Sequence, residues 1–258
     1  MPAPENRLKA ALARDDTVFG CWAAMASAYA AEIVGRAGFD WVLIDGEHAP
    51  NDLQTITQQL QVLDALGANP IVRLPQNDTA LIKQVLDAGA QSLLIPLVES
   101  GAQAEAAVRA MRYPPNGVRG VGSALARSSR FSGIPDYLTT ADAQMCLIVQ
   151  VETVKGIAAL DEILAVEGVD GVFIGPADLS ADMGYLGNPG ADEVQTVIAD
   201  TLRRIAAAGK APGIMTVNDA DTPGHIENGA RFLAVDIDVT AMAGALRKKA
   251  AHWRAALG

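Results

Sequence analysis

Short, β-branched apolar runs alternate along the chain with longer, alanine-rich stretches whose apolar positions recur at helical spacing. The first kind predicts strands and the second helices, because side chains repeat every second residue in a strand and about every 3.6 residues in a helix. Eight strands are predicted, over Val18–Trp22, Trp41–Asp45, Pro70–Leu74, Ser92–Leu97, Met145–Val151, Gly171–Gly175, Pro212–Thr216 and Phe232–Ile237. Helices are predicted over Ala28–Ala37, Asp52–Leu66, Asp78–Ala88, Gln103–Met111, Gly156–Val166, Asp192–Ala208, Ala220–Asn228 and Ala241–Ala256. Helix ends are marked by Gly38, Gly67, Gly89, Gly209 and Gly229, since glycine favours the left-handed turn that closes a helix.

Runs such as LLIPLV and GVFIG are apolar on both faces. Strands buried on both sides belong to parallel sheets covered by helices. Eight β-then-α units in 258 residues predict a closed (β/α)8 barrel, the TIM-barrel architecture, as one domain over residues 1–258. A doubly wound sheet is the alternative, and the first strand lacks the G-x-G-x-x-G turn that would favour it. The segment Pro114–Ala143, rich in Gly, Ser, Arg and Pro, reads as a long insertion before the fifth strand. Long insertions are frequent places for function.

Composition narrows the partners. The formal net charge is −10 and no basic block occurs, which argues against nucleic acid. No stretch approaches the roughly 20 apolar residues of a membrane span, and the polar start, MPAPENRLKAALARDD, is unlike a signal peptide. The two cysteines, Cys21 and Cys146, sit in strand-like runs and read as buried small hydrophobes. Their number excludes a disulfide framework and their spacing a cysteine-based metal site. A cytoplasmic protein is expected.

In this fold, reactive groups lie at the C-terminal ends of strands. The second strand ends in Ile44-Asp45-Gly46-Glu47-His48, the third near Arg73, the fifth in Gln150-Val151-Glu152, and the sixth in Gly175-Pro176-Ala177-Asp178. Singly, each has an ordinary reading: a surface arginine, a structural histidine, or an aspartate capping a turn. Together they bring two carboxylates, a guanidinium and an imidazole to one rim. Gln150 and Glu152, two apart, point to the same face. Glu152 and Asp178, on adjacent strands, can converge on a hard divalent cation such as Mg2+ or Mn2+ and leave positions open for substrate. His48 suits a further ligand or a general base. A 2-oxo acid offers two chelating oxygens, and Arg73 with the cation would draw charge from its keto oxygen and ease removal of the neighbouring proton. The Gly175-Pro176-Ala177 turn could present N–H groups to the substrate carboxylate.

The stretches GFDWVLIDGEHAPND, PIVRLPQND, IKQVLDAGAQSLLIPLV, MRYPPNGVRGVGSALARSSRF, CLIVQVETVKGI, VDGVFIGPADLSADMGYLGNP and GKAPGI resemble the class II pyruvate aldolases of the 4-hydroxy-2-oxoheptanedioate aldolase type. The resemblance runs from about Phe19 to the C-terminus, and GPADLSADMG with the Q-x-E strand is its most specific part. It implies reversible retro-aldol cleavage of 4-hydroxy-2-oxo acids to pyruvate and an aldehyde. It implies a divalent cation (Mg2+, Mn2+ or Co2+) bound by Glu152 and Asp178, with no organic cofactor. By the same resemblance Arg73 binds the keto oxygen and stabilises the enolate, His48 is the base and Asp87 is its dyad partner. Asp45 contacts water on the metal, Gln150 and Trp22 line the pocket, and the backbone of residues Pro176 to Asp178 meets the pyruvate carboxylate. It further implies a role in aromatic catabolism and a hexamer, a trimer of dimers that exchange the last helix. Asp236, within FLAVDIDV, stands where the family more often has a small residue. This extra carboxylate could be paired, narrow the pocket or tune aldehyde preference.

Other chemistries fit less well. A Schiff-base aldolase needs a lysine on a barrel strand, and of the six lysines only Lys155 lies near the rim. A phosphosugar isomerase would want a glycine-rich loop after the seventh or eighth strand, which GIMTVND and DIDVTAMAG do not offer. An acyl-thioester lyase of the citrate lyase β-subunit kind would need a wider entrance. A non-catalytic 2-oxo acid sensor would have no use for a base.

Overall fold

Each predicted apolar run forms a strand, and each strand pairs in parallel with its sequence neighbour, the last returning to the first. The strands are β1 (Val18–Ala23), β2 (Trp41–Asp45), β3 (Pro70–Arg73), β4 (Ser92–Ile95), β5 (Cys146–Val151), β6 (Gly171–Ile174), β7 (Ala211–Met215) and β8 (Phe232–Ile237). They close an eight-stranded barrel, as the alternation predicts. This computed structural model describes residues 1–216 and 218–256; Val217, within GIMTVND, and residues 257–258 lie outside them.

The helices are α1 (Arg7–Ala13) before β1, then α2 (Ala28–Gly35), α3 (Leu53–Leu66), α4 (Thr79–Asp87) and α5 (Gly101–Met111) after β1 to β4. A short α6 (Tyr137–Thr140) precedes β5, α7 (Val154–Ala158) and α8 (Leu160–Leu164) follow it, and α9 (Pro176–Asp182) and α10 (Asp192–Ala207) follow β6. The chain ends with α11 (Thr222–Glu227) and α12 (Asp238–Ala256). Local chemistry sets the ends. Asp52 and Thr55 form a reciprocal capping box at the start of α3, and Gly67 closes that helix at φ 69°. β4 stops two residues short of the predicted Leu97, because Pro96 has no N–H for the ladder and Leu97 adopts φ 53°.

Strand alternation sorts the core into two layers. Ile44, Val72, Leu93, Val149, Val172 and Leu233 face the helices. Trp22, Trp41, Leu43, Ile71, Phe173 and Phe232 fill the barrel. Trp41 stacks on Phe232 with ring centroids 4.3 Å apart. It fits because Gly20 has no side chain: a Cβ there would stand 2.0 Å from the indole. Truncating such a buried aromatic costs about 3–5 kcal/mol.

Two features lie at the closed, N-terminal end of the barrel. Leu8 and Leu12 of α1 plug the interior, and Lys9 pairs with Asp170 at 3.0 Å. This helix has too few residues to register as a periodic run. The insertion Pro114–Ala143 joins α5 to β5 and therefore also packs at this end, away from the strand C-termini. Its anchor is Arg119, fully buried, 2.8 Å from Asp87 and stacked over Tyr113 at 4.5 Å. Within its own chain the insertion is therefore remote from the rim.

Candidate active site

The strand C-termini deliver their polar groups to one rim. In the sheet register Asp45, last in β2, lies beside Arg73, last in β3. Nε and Nη2 of Arg73 donate to the two oxygens of Asp45 at 2.9 and 2.7 Å, and both residues are buried. Burial alone would push the Asp45 carboxyl up, but the hydrogen bonds and charge of Arg73, with the N–H groups of Glu47 and His48, hold it below its ordinary value. Trp22 supports the pair from within the barrel, its ring 5.3 Å from the Arg73 guanidinium carbon.

Glu47, two residues beyond Asp45, turns back to the same arginine. Its Oε2 lies 2.8 Å from Nη1 of Arg73. The same oxygen is buried without an aligned N–H donor, so the contact is an ion pair of poor hydrogen-bond geometry. Burial raises the Glu47 carboxyl above its ordinary value; Arg73 and His48 oppose that shift, and Asp45 and Asp178 add to it. His48 is exposed, with Nε2 3.9 Å from Glu47 Oε2.

Across the barrel mouth, Glu152 follows directly on β5 and is buried. Its Oε1 accepts the backbone N–H of Leu97 at 3.0 Å, and its Oε2 accepts from the Gln150 side-chain amide. Gln150 Oε1 is buried with no partner. Gly175 makes room for both, since a Cβ there would fall 2.5 Å from Glu152 Oε2. Desolvation raises the Glu152 carboxyl to about 7; the Leu97 N–H and Arg73 counteract, while the charges of Asp178 and Glu47 push it further up. Asp178 is exposed in the first turn of α9, where Pro176 occupies the first helical turn. The expected tight turn Gly175-Pro176-Ala177 is thus the start of a short helix.

These observations test whether a divalent cation fits. Asp45, Glu47, Glu152 and Asp178 bring four carboxylates to a rim whose buried cation, Arg73, is already taken up by Asp45. Glu152 is destabilised as an anion, and Gln150 has an orphan acceptor. A cation beside Glu152 and Asp178 would relieve the excess negative charge. Among the described residues no three His, Cys, Asp or Glu gather as a ready-made cage. The donor set therefore suits a hard ion that keeps positions for water and ligand.

The rim gathers Trp22, Asp45, His48, Arg73, Gln150, Glu152, Gly175, Pro176, Ala177 and Asp178. It does not gather Asp87. That residue ends α4, a helix running from the rim to the opposite end of the barrel, and it pairs there with Arg119 at 2.8 Å. The expected His48–Asp87 dyad does not form within one chain, because the length of the barrel separates them. Of the alternatives open for Asp236, the fold excludes one. A bulge in the β1–β8 pairing aligns it with outward-facing Cys21 rather than inward-facing Trp22, so it does not narrow the pocket. Glu47 went unassigned although Asp45-x-Glu47 is the i, i+2 spacing that flagged Gln150 and Glu152. Lys155 is exposed and paired with Glu99 at 2.9 Å, unlike a desolvated Schiff-base lysine. Both cysteines are free and buried, and burial pushes the Cys21 thiol up to about 12.

Residues 18–245 match the family model described as HpcH/HpaI aldolase/citrate lyase. A hydroxypyruvate/pyruvate aldolase from Roseovarius nubinhibens is 58% identical over 254 residues, covering 98% of this chain and 99% of the relative. A 4-hydroxy-2-oxo-heptane-1,7-dioate aldolase from Escherichia coli is 53% identical over 251 residues, covering 97% and 96%. The crystal structure of an HpcH/HpaI aldolase/citrate lyase family protein from Burkholderia cenocepacia superposes with a TM-score of 0.92 at 39% identity, covering 96% and 99%.

Proposed function

The chain belongs to the HpcH/HpaI aldolase/citrate lyase family, and from that premise we propose a divalent-metal-dependent aldolase that reversibly cleaves 4-hydroxy-2-oxo acids to pyruvate and an aldehyde. It is a carbon–carbon lyase. The observation that carries the metal and substrate reading is the charge imbalance at the rim. A buried arginine stands ready on one side, and a buried carboxylate without its counter-charge stands on the other.

A cation held by Glu152 and Asp178, with Mg2+, Mn2+ and Co2+ all suited to oxygen donors, would supply Lewis-acid polarisation of the 2-oxo group. The chain's own groups do the rest. Of the five N–H groups of Arg73, Asp45 takes two. Its terminal nitrogens keep N–H groups for the keto oxygen, where negative charge develops. His48 accepts the proton of the 4-hydroxyl. As that proton leaves, the C4–O bond becomes a carbonyl, the C3–C4 bond breaks and its electron pair moves into the pyruvate enolate. The enolate then takes a proton at C3. Gln150 turns its amide towards Glu152 and leaves an acceptor for a ligand hydroxyl or water. Trp22 floors the pocket under Arg73, and the backbone of residues Pro176 to Asp178 receives the substrate carboxylate. Pyruvate and hydroxypyruvate, both in the name of the Roseovarius relative, are the donors to compare.

The last helix supports exchange between subunits. α12 buries only Asp238, and Met242, Leu246 and Trp253 are exposed along it. On neighbouring α2, Tyr29 and Ile33, one turn apart, are exposed as well. A second copy's α12 laid on that stripe would cover both, in dimers that build a hexamer. Within such an assembly a second subunit could bring an Asp87 to His48, which the chain's own Asp87 does not reach. No helix among the described residues is long and apolar enough to cross a membrane. Two free, buried cysteines suit a cytoplasmic enzyme; aromatic catabolism is the pathway that the heptanedioate-aldolase reading would carry.

The test is proton exchange. With Mn2+ added, the protein should exchange the methyl protons of pyruvate for deuterium in D2O, and a chelator should stop it. Binding without exchange between pH 6 and 9 would instead make the protein a 2-oxo acid sensor.

A further inference from the structure

We propose that Glu47 is a positioning residue that holds Arg73 and His48 in their reactive orientation from within a single chain. This rests on reading Arg73 as the enolate-stabilising group and His48 as the base. One oxygen of Glu47 faces both: Oε2 lies 2.8 Å from Nη1 of Arg73 and 3.9 Å from Nε2 of His48. Within one chain it is the carboxylate beside His48, and its contact does not depend on an Asp87 brought by a second subunit.

Neutralising Arg73 does not require it. Asp45 already grips the Nε and Nη2 edge of the guanidinium with both oxygens. A second carboxylate beside Nη1 places negative charge at the end of the guanidinium that Asp45 leaves free, and so biases its position there. The backbone is arranged for this. Asp45 Oδ1 also accepts the N–H groups of Glu47 and His48, at 2.9 and 3.3 Å, and so folds the segment after β2 back over the arginine. Glu47 Oε2 is buried without an aligned donor and meets the charge of Arg73, so its carboxylate serves that guanidinium as a neighbouring charge.

His48 is far more exposed than Glu47, with side-chain exposures of 67% and 14%. From its own chain the imidazole has a neighbouring carboxylate, Glu47, to bias its orientation towards the substrate hydroxyl. At 3.9 Å the Glu47 carboxylate is within ion-pair range of the imidazole. When His48 takes up the proton, Glu47 then lies beside the new imidazolium charge. The base and the enolate stabiliser are thereby tied to one carboxylate.

Glu47→Gln keeps the shape and removes the charge, and Glu47→Asp keeps the charge but draws it back by one methylene. Both variants of the full chain are compared with wild type and Arg73→Ala, each with Mn2+. Three quantities are read: pyruvate deuterium exchange as kcat and KM, Mn2+ affinity by electron paramagnetic resonance, and melting temperature. Glu47→Gln should lower kcat for exchange about 10- to 100-fold, with KM, Mn2+ affinity and melting close to wild type. Glu47→Asp should fall in between. A wild-type kcat in Glu47→Gln, or a loss that tracks Mn2+ affinity and melting alone, overturns the positioning role while leaving the aldolase reading intact. Absence of exchange in wild type itself overturns both.

Discussion

The two halves of the barrel mouth are built on opposite terms. On the β2–β3 side, Asp45 and Arg73 hold each other through two aligned hydrogen bonds, and Asp45 keeps its charge easily. On the β5–β6 side, Glu152 is pushed to about 7, beside an amide oxygen with no donor and the charge of Asp178. In the first half the Asp45–Arg73 pair is complete as folded and acts as a fixed electrostatic frame. The second half is short of positive charge, and on the proposed reading a bound cation would complete it. On that reading preorganisation and binding are separated between two pairs of strands that face each other across the mouth.

Substitutions should respect that division. The largest effect is expected on the unfinished side. Glu152→Ala or Asp178→Ala should abolish both Mn2+ binding and turnover, measured by equilibrium dialysis and a coupled pyruvate assay. Arg73→Ala comes next, lowering kcat by about 10²–10³-fold while Mn2+ affinity changes little. It also strands the buried Asp45 charge, and a loss of about 3–5 kcal/mol in denaturant unfolding is expected. Smaller still is Gly175→Ala, whose methyl would meet Glu152 Oε2. Disturbing that ligand should weaken Mn2+ binding by about 10–100-fold without moving the Asp45–Arg73 pair.

Proton competition gives the mildest contrast. Glu152 must shed its proton to bind a cation, so Mn2+ affinity should fall about tenfold per pH unit below about 7 and level off above it. In metal-free protein the sign is opposite for stability. A carboxyl whose folded value is raised contributes most below its ordinary value, and the contribution is lost as pH rises through about 7. Metal-free protein should therefore melt higher at pH 5.5 than at pH 8 by more than its Glu152→Gln variant does.

Much of this division was legible in the sequence. Strand periodicity located all eight strands, because burial on both faces leaves unbroken apolar runs. The same strand ends named Asp45, Arg73, Gln150, Glu152 and Asp178. What escaped depends on the third dimension. The chain cannot announce that a bulge turns Asp236 outward, or that Asp87 rides a helix to the far end and meets Arg119. α1 and α9, seven residues each, are too short for helical period to show. Glu47 could have been found: the alternation that paired Gln150 with Glu152 applies equally to Asp45 and Glu47, but a glycine and a histidine flank it and read as loop.

The most direct test of the account is cleavage of a 4-hydroxy-2-oxo acid by protein stripped exhaustively with a chelator. Pyruvate release should fall to background and return on adding Mn2+ to the wild type, but not to Glu152→Ala. Undiminished cleavage by the stripped protein would contradict the claim that Glu152 and Asp178 form the half of the mouth that a cation completes.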